Sequence, residues 1–222
     1  MKKLMIRKII KILLIVFLAL IIIISSFVLY IVYQLETSID EVLSKEQQEW
    51  VYNEIENTES LPDKYIDTLE EYYPDKFKYS FWEVVLIAIK NHWVETCQCD
   101  RVLPLSSIPG KRMACPDYYP FTIIFDLREK VITLFIEEKF TQRKCFEYYM
   151  SKTYFGGATI GISKASRKYF DKELVELNEK EILMLNLISI RPAQYRSSEN
   201  IEELAEKVEL FIERHHKSRG LD

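Results

Sequence analysis

A basic excess is the first thing this 222-residue sequence lacks. It carries 30 Lys and Arg against 34 Asp and Glu, a net charge of −4. Without a positive footprint, nucleic acid is not an expected partner. Glycine and proline are scarce, at five and seven, which excludes a collagen-like or low-complexity chain. No internal repeat is present. Histidine is rarer still: His92, His215 and His216 are all there is. The cysteines are Cys97, Cys99, Cys115 and Cys145, and the C-x-C pair lacks the spacing of a zinc site. They read as free thiols or, in a domain outside the cytoplasm, as a bond from Cys115 to Cys97 or Cys99. His215 and His216 are adjacent near a helix C-terminus, where cations suit the dipole, and they read as solvated.

Only one long hydrophobic run exists. Ile12 to Tyr33 is apolar and uncharged over 22 residues, the length that spans a bilayer as a helix. Lys2, Lys3, Arg7, Lys8 and Lys11 precede it, and Glu36, Asp40 and Glu41 follow it. The positive-inside rule therefore puts the N-terminus in the cytoplasm and the rest outside. The run is too long for a signal-peptide core and offers no small-residue cleavage site, so it reads as an uncleaved, single-pass anchor in the cytoplasmic membrane.

The remaining chain is 48% hydrophobic and 29% charged overall, enough for one domain with a real core. Residues 1–34 make the cytoplasmic tip and anchor, and 35–59 read as a polar stalk helix. Residues 60–222 make the domain. Leu61-Pro62-Asp63 starts a helix with Tyr65, Ile66, Leu69, Tyr72 and Tyr73 on one face, and Pro74 ends it. Ser80 and Glu83 form a capping box. It opens a helix from Phe81 to about Val94, apolar over much of its surface. That helix is a core helix or one that partly touches lipid. Residues 96–120 are irregular. Residues 121–140 are periodic and helical, with Thr122 to Phe125 helical or extended. Asn178 and Asn200 each stand three residues before a Glu, as helix caps do.

Residues 142–195 carry a series of motifs. Glu147, Tyr149, Tyr154, Phe155 and Gly156 are followed by Gly161, Ile162 and Ala165. Then come Tyr169-Phe170 and Lys172, then Leu177, Glu181 and Leu185, and last Pro192 and Tyr195. This ungapped series resembles the last motif block of the peptidoglycan glycosyltransferases (glycosyltransferase family 51). The resemblance implies a mainly α, lysozyme-like helical domain behind a single transmembrane helix. Upstream, Leu61, Pro62, Ile66, Leu69 and Phe77 fall in register with the family's first motif, and Glu129 falls on the functional glutamate of its third.

The family joins lipid-linked disaccharides, a reaction that needs a general base near neutral pH and positive charge at the leaving pyrophosphate. In register, the catalytic Glu position of the first motif holds Tyr73, a poor base with a reference pKa of about 10. The Asp after it is Pro74, and Ser80 stands at the His position. The third motif's basic pair is Phe125-Asp126. The second motif should fall near Ser106-Ser107, where only the serines and Lys111-Arg112 are suggestive.

By this resemblance Glu129 serves the donor side, and Glu71 or Asp75 stands in for the base. Lys111, Arg112, Arg128 and Lys152 supply charge to the substrate. The implied partners are lipid II or a glycan strand, the membrane, and other cell-wall synthesis proteins. A divalent metal is a further implication of the family. Two readings follow for cell-wall biosynthesis: a divergent transferase, or an inactive relative that binds precursor, glycan or another cell-wall protein.

Overall fold

The computed structural model describes residues 2–91, 98–101, 122–195 and 198–220. The first helix, α1 (Lys2–Thr37), contains Ile10–Gln34, long and apolar enough to cross a membrane and with none of its residues buried in the protein. A helix apolar on every face needs either a protein interior or a bilayer around it. Here Leu13, Phe17, Ile23 and Leu29 all stand exposed, as in a single-pass membrane segment.

The next two helices, α2 (Ile39–Val42) and α3 (Lys45–Glu56), correct the stalk expectation. Ser44 caps α3 through a reciprocal box with Gln47, and Gln48 Nε2 donates to Asp40 and to the Leu43 carbonyl. Leu43, Val51 and Ile55 are essentially inaccessible. The apolar spacing read as a free stalk is one face of a packed helix, and α3 lies against α7.

The domain continues through α4 (Asp63–Tyr72), α5 (Phe81–Asn91), a 3₁₀ turn at Gln98–Arg101 and α6 (Thr122–Lys139). Helices α7 (Gln142–Lys152), α8 (Ile162–Phe170), α9 (Glu179–Ile190) and α10 (Ser198–Arg219) complete it, with a 3₁₀ turn at Leu174–Glu176. Among the described residues there is no strand, only an isolated bridge between Tyr154 and Ile160. The mainly helical expectation holds. Thr122 to Phe125 are helical. In α5, Phe81 is buried and Leu86 exposed.

Two cores share α7. Phe146 and Met150 face one, with Tyr65, Ile66 and Leu69 of α4 and Ile182, Leu185 and Ile188 of α9. Cys145 and Tyr148 face the other, with Val51 and Ile55 of α3 and Val131, Ile132 and Ile136 of α6. Residues three and four apart lie on one helix face and intervening ones turn away. That is how an 11-residue helix serves two cores.

Local signals place the helix starts. Ser80 and Glu83 bond reciprocally, and the Ser80 backbone N–H and hydroxyl, both donating to the Glu83 carboxylate, hold it below its usual range. Asn178 and Glu181 make the same box at α9. Asn200 does not cap α10, which begins at Ser198; its side chain instead donates to the Gln194 carbonyl.

Candidate active site

The motif residues of 142–195 turn out to hold the frame. Glu147 is 4% exposed and accepts the backbone N–H of Leu61 (3.3 Å) and Nε of Arg143 (3.4 Å). One carboxylate thereby fastens the start of α4 to α7. Lys172 pairs with Glu181 at 2.6 Å, tying the turn after α8 to the first turn of α9. The Tyr169 hydroxyl donates to the Phe155 carbonyl. Gly156 has φ 94, and a Cβ there would meet the Pro192 carbonyl oxygen and the Tyr169 hydroxyl at 3.2 Å. Only glycine fits so close a left-handed turn.

Tyr73, the residue that the resemblance sets at the position of the family's base, stands at the end of α4. It is the C-cap, with φ −134 and ψ 69. Its ring stacks on Phe211 of α10, 6.2 Å between centroids and 25° between planes. Lys76 Nζ lies 5.6 Å from the centre of the same ring. Lys76 is 6% exposed, and it donates to Asn186 Oδ1 of α9 at 3.1 Å. Neither Lys76 nor Asn186 was singled out from the sequence. The available signal was Asn186 itself, a polar residue at an inward position of α9 among Ile182, Leu183, Leu185 and Ile188.

The sequence-derived candidates are dispersed. Glu71 accepts from Arg219 at the end of α10 (2.8 Å). Asp75, in the turn after α4, pairs with Lys78 at 3.3 Å with both side chains largely exposed. Glu129 lies half-buried on α6, and its backbone carbonyl accepts from the Thr133 hydroxyl. Arg128 beside it is exposed. Lys152 pairs with Glu54 at 3.1 Å and lines a groove with Trp50, Asn53 and Asn57. Lys111 and Arg112 lie outside the described residues, as do Ser106, Ser107, Cys97, Cys115 and His92. No described contact joins Glu129 to Glu71 or Asp75. No group of three or more metal-ligating side chains is found among the described residues.

Two expectations are corrected here. His215 and His216 are half-buried against the domain rather than simply solvated. The His215 ring lies 4.3 Å from that of Tyr72. The Tyr72 hydroxyl donates to Glu179 at 2.7 Å and stands 3.0 Å from His216 Nε2. Burial and the bond to Glu179 raise the Tyr72 pKa. The pair latches α10 onto α4 and α9, because the helix docks with its histidine face inward. Cys145, left out of the proposed pairings, forms a disulfide with Cys99, their Cα atoms 5.0 Å apart. Helix α7 brings it to the 3₁₀ turn at Gln98–Arg101, a contact invisible in local sequence.

The described architecture is a mainly helical, lysozyme-like domain behind one membrane-length helix. Residues 122–216 match the family model described as Transglycosylase. The chain is 26% identical over 88 residues to penicillin-binding protein 1A of Rickettsia typhi, covering 40% of this chain and 11% of that protein. It is 32% identical over 74 residues to penicillin-binding protein 1F of Bacillus subtilis, covering 33% and 10%. It is 30% identical over 87 residues to the biosynthetic peptidoglycan transglycosylase of Nitrosomonas europaea, covering 39% and 36%. The match thus spans about a tenth of the penicillin-binding proteins and about a third of the Nitrosomonas protein.

Proposed function

We propose that this chain is a membrane-anchored peptidoglycan glycosyltransferase-like protein of cell-wall synthesis. Its ectodomain engages lipid-linked disaccharide precursor or the glycan strand made from it. The observation that carries this reading is the match of residues 122–216 to the Transglycosylase family, together with motif side chains that hold the frame in contact pairs such as Lys172–Glu181. The basic segment before α1 and the acidic residues after it favour a cytoplasmic N-terminus and an extracytoplasmic domain. The Cys99–Cys145 disulfide favours the same orientation, because such bonds persist in oxidising compartments.

In this reading Glu129 and Arg128 act on the donor side, where a cation stabilises the leaving pyrophosphate. Glu71 or Asp75 would take the proton of the attacking hydroxyl. Purified full-length protein given lipid II tests the transfer: glycan made by the wild type and abolished by Glu129→Gln supports an active transferase. A second reading, binding without transfer, is favoured by one observation. The base register holds Tyr73, stacked on Phe211, while Glu71 is engaged by Arg219. Saturable lipid II binding with no glycan product supports that reading, and absence of both defeats the proposal.

A further inference from the structure

The disulfide joins cysteines that are not consecutive. Cys99 and Cys145 are 1% and 0% exposed. They are enclosed by Phe81, Val131, Ile132 and Tyr148. The turn that carries Cys99 is pinned on both sides: Gln98 N donates to Gln142 Oε1 (2.8 Å), and Gln98 Nε2 donates to the Lys76 carbonyl (3.0 Å). Thiol–disulfide exchange requires a thiolate to reach a sulfur. The bond therefore has to be made and corrected before this core closes.

Chain order works against the native pair. Cys115 lies between its members, 16 residues from Cys99, whereas Cys145 is 46 residues away. Loop closure in an unfolded chain falls off as about the −3/2 power of length, so Cys99 meets Cys115 about five times as often as it meets Cys145. As the segment after the anchor crosses the membrane in chain order, Cys115 also emerges before Cys145.

We infer that this protein is a client of an extracytoplasmic thiol–disulfide isomerase, which converts an early bond to Cys115 into the Cys99–Cys145 bond. The inference rests on the extracytoplasmic placement proposed above. In the first step two cysteine thiols pass two electrons and two protons to the disulfide of a dithiol oxidase, giving a Cys99–Cys115 bond. The isomerase thiolate then attacks Cys99, releasing the Cys115 thiolate. The Cys145 thiolate displaces the isomerase from Cys99, so the rearrangement involves no net oxidation.

The test refolds reduced, denatured full-length chain in detergent micelles with a glutathione redox buffer, with and without a purified dithiol isomerase. Samples are alkylated at intervals and their pairs mapped by peptide mass spectrometry. Bonds to Cys115 should dominate the earliest samples, and the isomerase should speed the appearance of Cys99–Cys145 on the order of ten-fold. Cys115→Ser should remove the early bond to position 115, and Cys115→Ser combined with Cys97→Ser, which leaves only the native pair, should also remove the acceleration. Because pairing is read from peptides, a variant that does not fold still reports. Cys99–Cys145 as the first dominant bond, or a wild-type rate indifferent to the isomerase, overturns the inference. The same mapping on cells quenched with alkylating agent checks the placement separately. Cys99 and Cys145 recovered as thiols there defeat the placement and the isomerase step with it, whatever the order found in vitro.

Discussion

Tyr73 stacks on Phe211, joining the end of α4 to the last helix of the domain. Tyr73, which the sequence resemblance alone sets at the family's base position, is an aromatic packing residue. A phenol, with a reference pKa of about 10, is a poor base at neutral pH, and the Tyr73 ring is engaged by Phe211. The change also alters the neighbourhood: Lys76 beneath the ring is buried against Asn186 and the Phe146 ring.

Restoring a carboxylate should therefore be informative. General acid–base groups contribute about 10²–10⁴-fold. Tyr73→Glu is expected to raise lipid II polymerisation on the order of ten-fold or more above the wild type, with Lys76 supplying a nearby countercharge. Incorporation of labelled lipid II into glycan reads the outcome, and a rate equal to or below that of the wild type counts against the register.

Glu147 is a buried carboxylate between a backbone donor and Arg143. Glu147→Ala leaves the Leu61 N–H without that acceptor, at a cost of about 1–3 kcal/mol. Thermal unfolding of the purified variant should show the loss, with no effect attributable to substrate.

Gly161 caps α8 at φ 89, and a Cβ there would stand 2.7 Å from the Ser151 carbonyl oxygen. Gly161→Ala combines a left-handed backbone with a backbone clash, so about 1–3 kcal/mol of stability should be lost. A denaturant midpoint unchanged from the wild type would mean that this turn is not as close as described.

Tyrosine burial sets an alkaline limit. Burial, with the Glu54 carboxylate nearby, pushes Tyr148 up to about 12, and burial raises Tyr65 and Tyr72 as well. Each phenol keeps its proton longer in the folded state than in the unfolded chain, where it titrates near pH 10. Their contribution is complete below pH about 10 and is lost as pH rises from about 10 through 12. Unfolding free energy should fall over that window, and Tyr148→Phe should flatten part of the fall. Stability that is constant from pH 9 to about 12 would contradict it.

What could be read beforehand follows from the range of the interaction. The caps at Ser80 and Asn178 are legible because partners three residues apart decide them. The membrane-length helix is legible because composition alone defines it. The burial of Val51 and Ile55 was missed because a charged amphipathic helix looks the same whether its apolar face meets solvent or a neighbour. Cys99–Cys145, Lys76–Asn186 and Tyr72–His216 were missed because each depends on which helices dock. At the candidate site, the resemblance put Tyr73 where the family carries its base, and the structure shows that ring stacked on Phe211. The resemblance could not show that Glu71 turns to Arg219 and Asp75 to Lys78.

The ectodomain is proposed above to engage a lipid-linked disaccharide, with Glu129 and Arg128 of α6 on the donor side. The most direct test of that proposal is a titration of the full-length protein in detergent micelles with lipid II. Saturable binding in the roughly micromolar range, about −8 kcal/mol, is the expected result. Loss of a charge-assisted contact in Arg128→Ala should weaken it about ten-fold. Binding no different from that of an ordinary anionic phospholipid, or unaffected by Arg128→Ala, would contradict it.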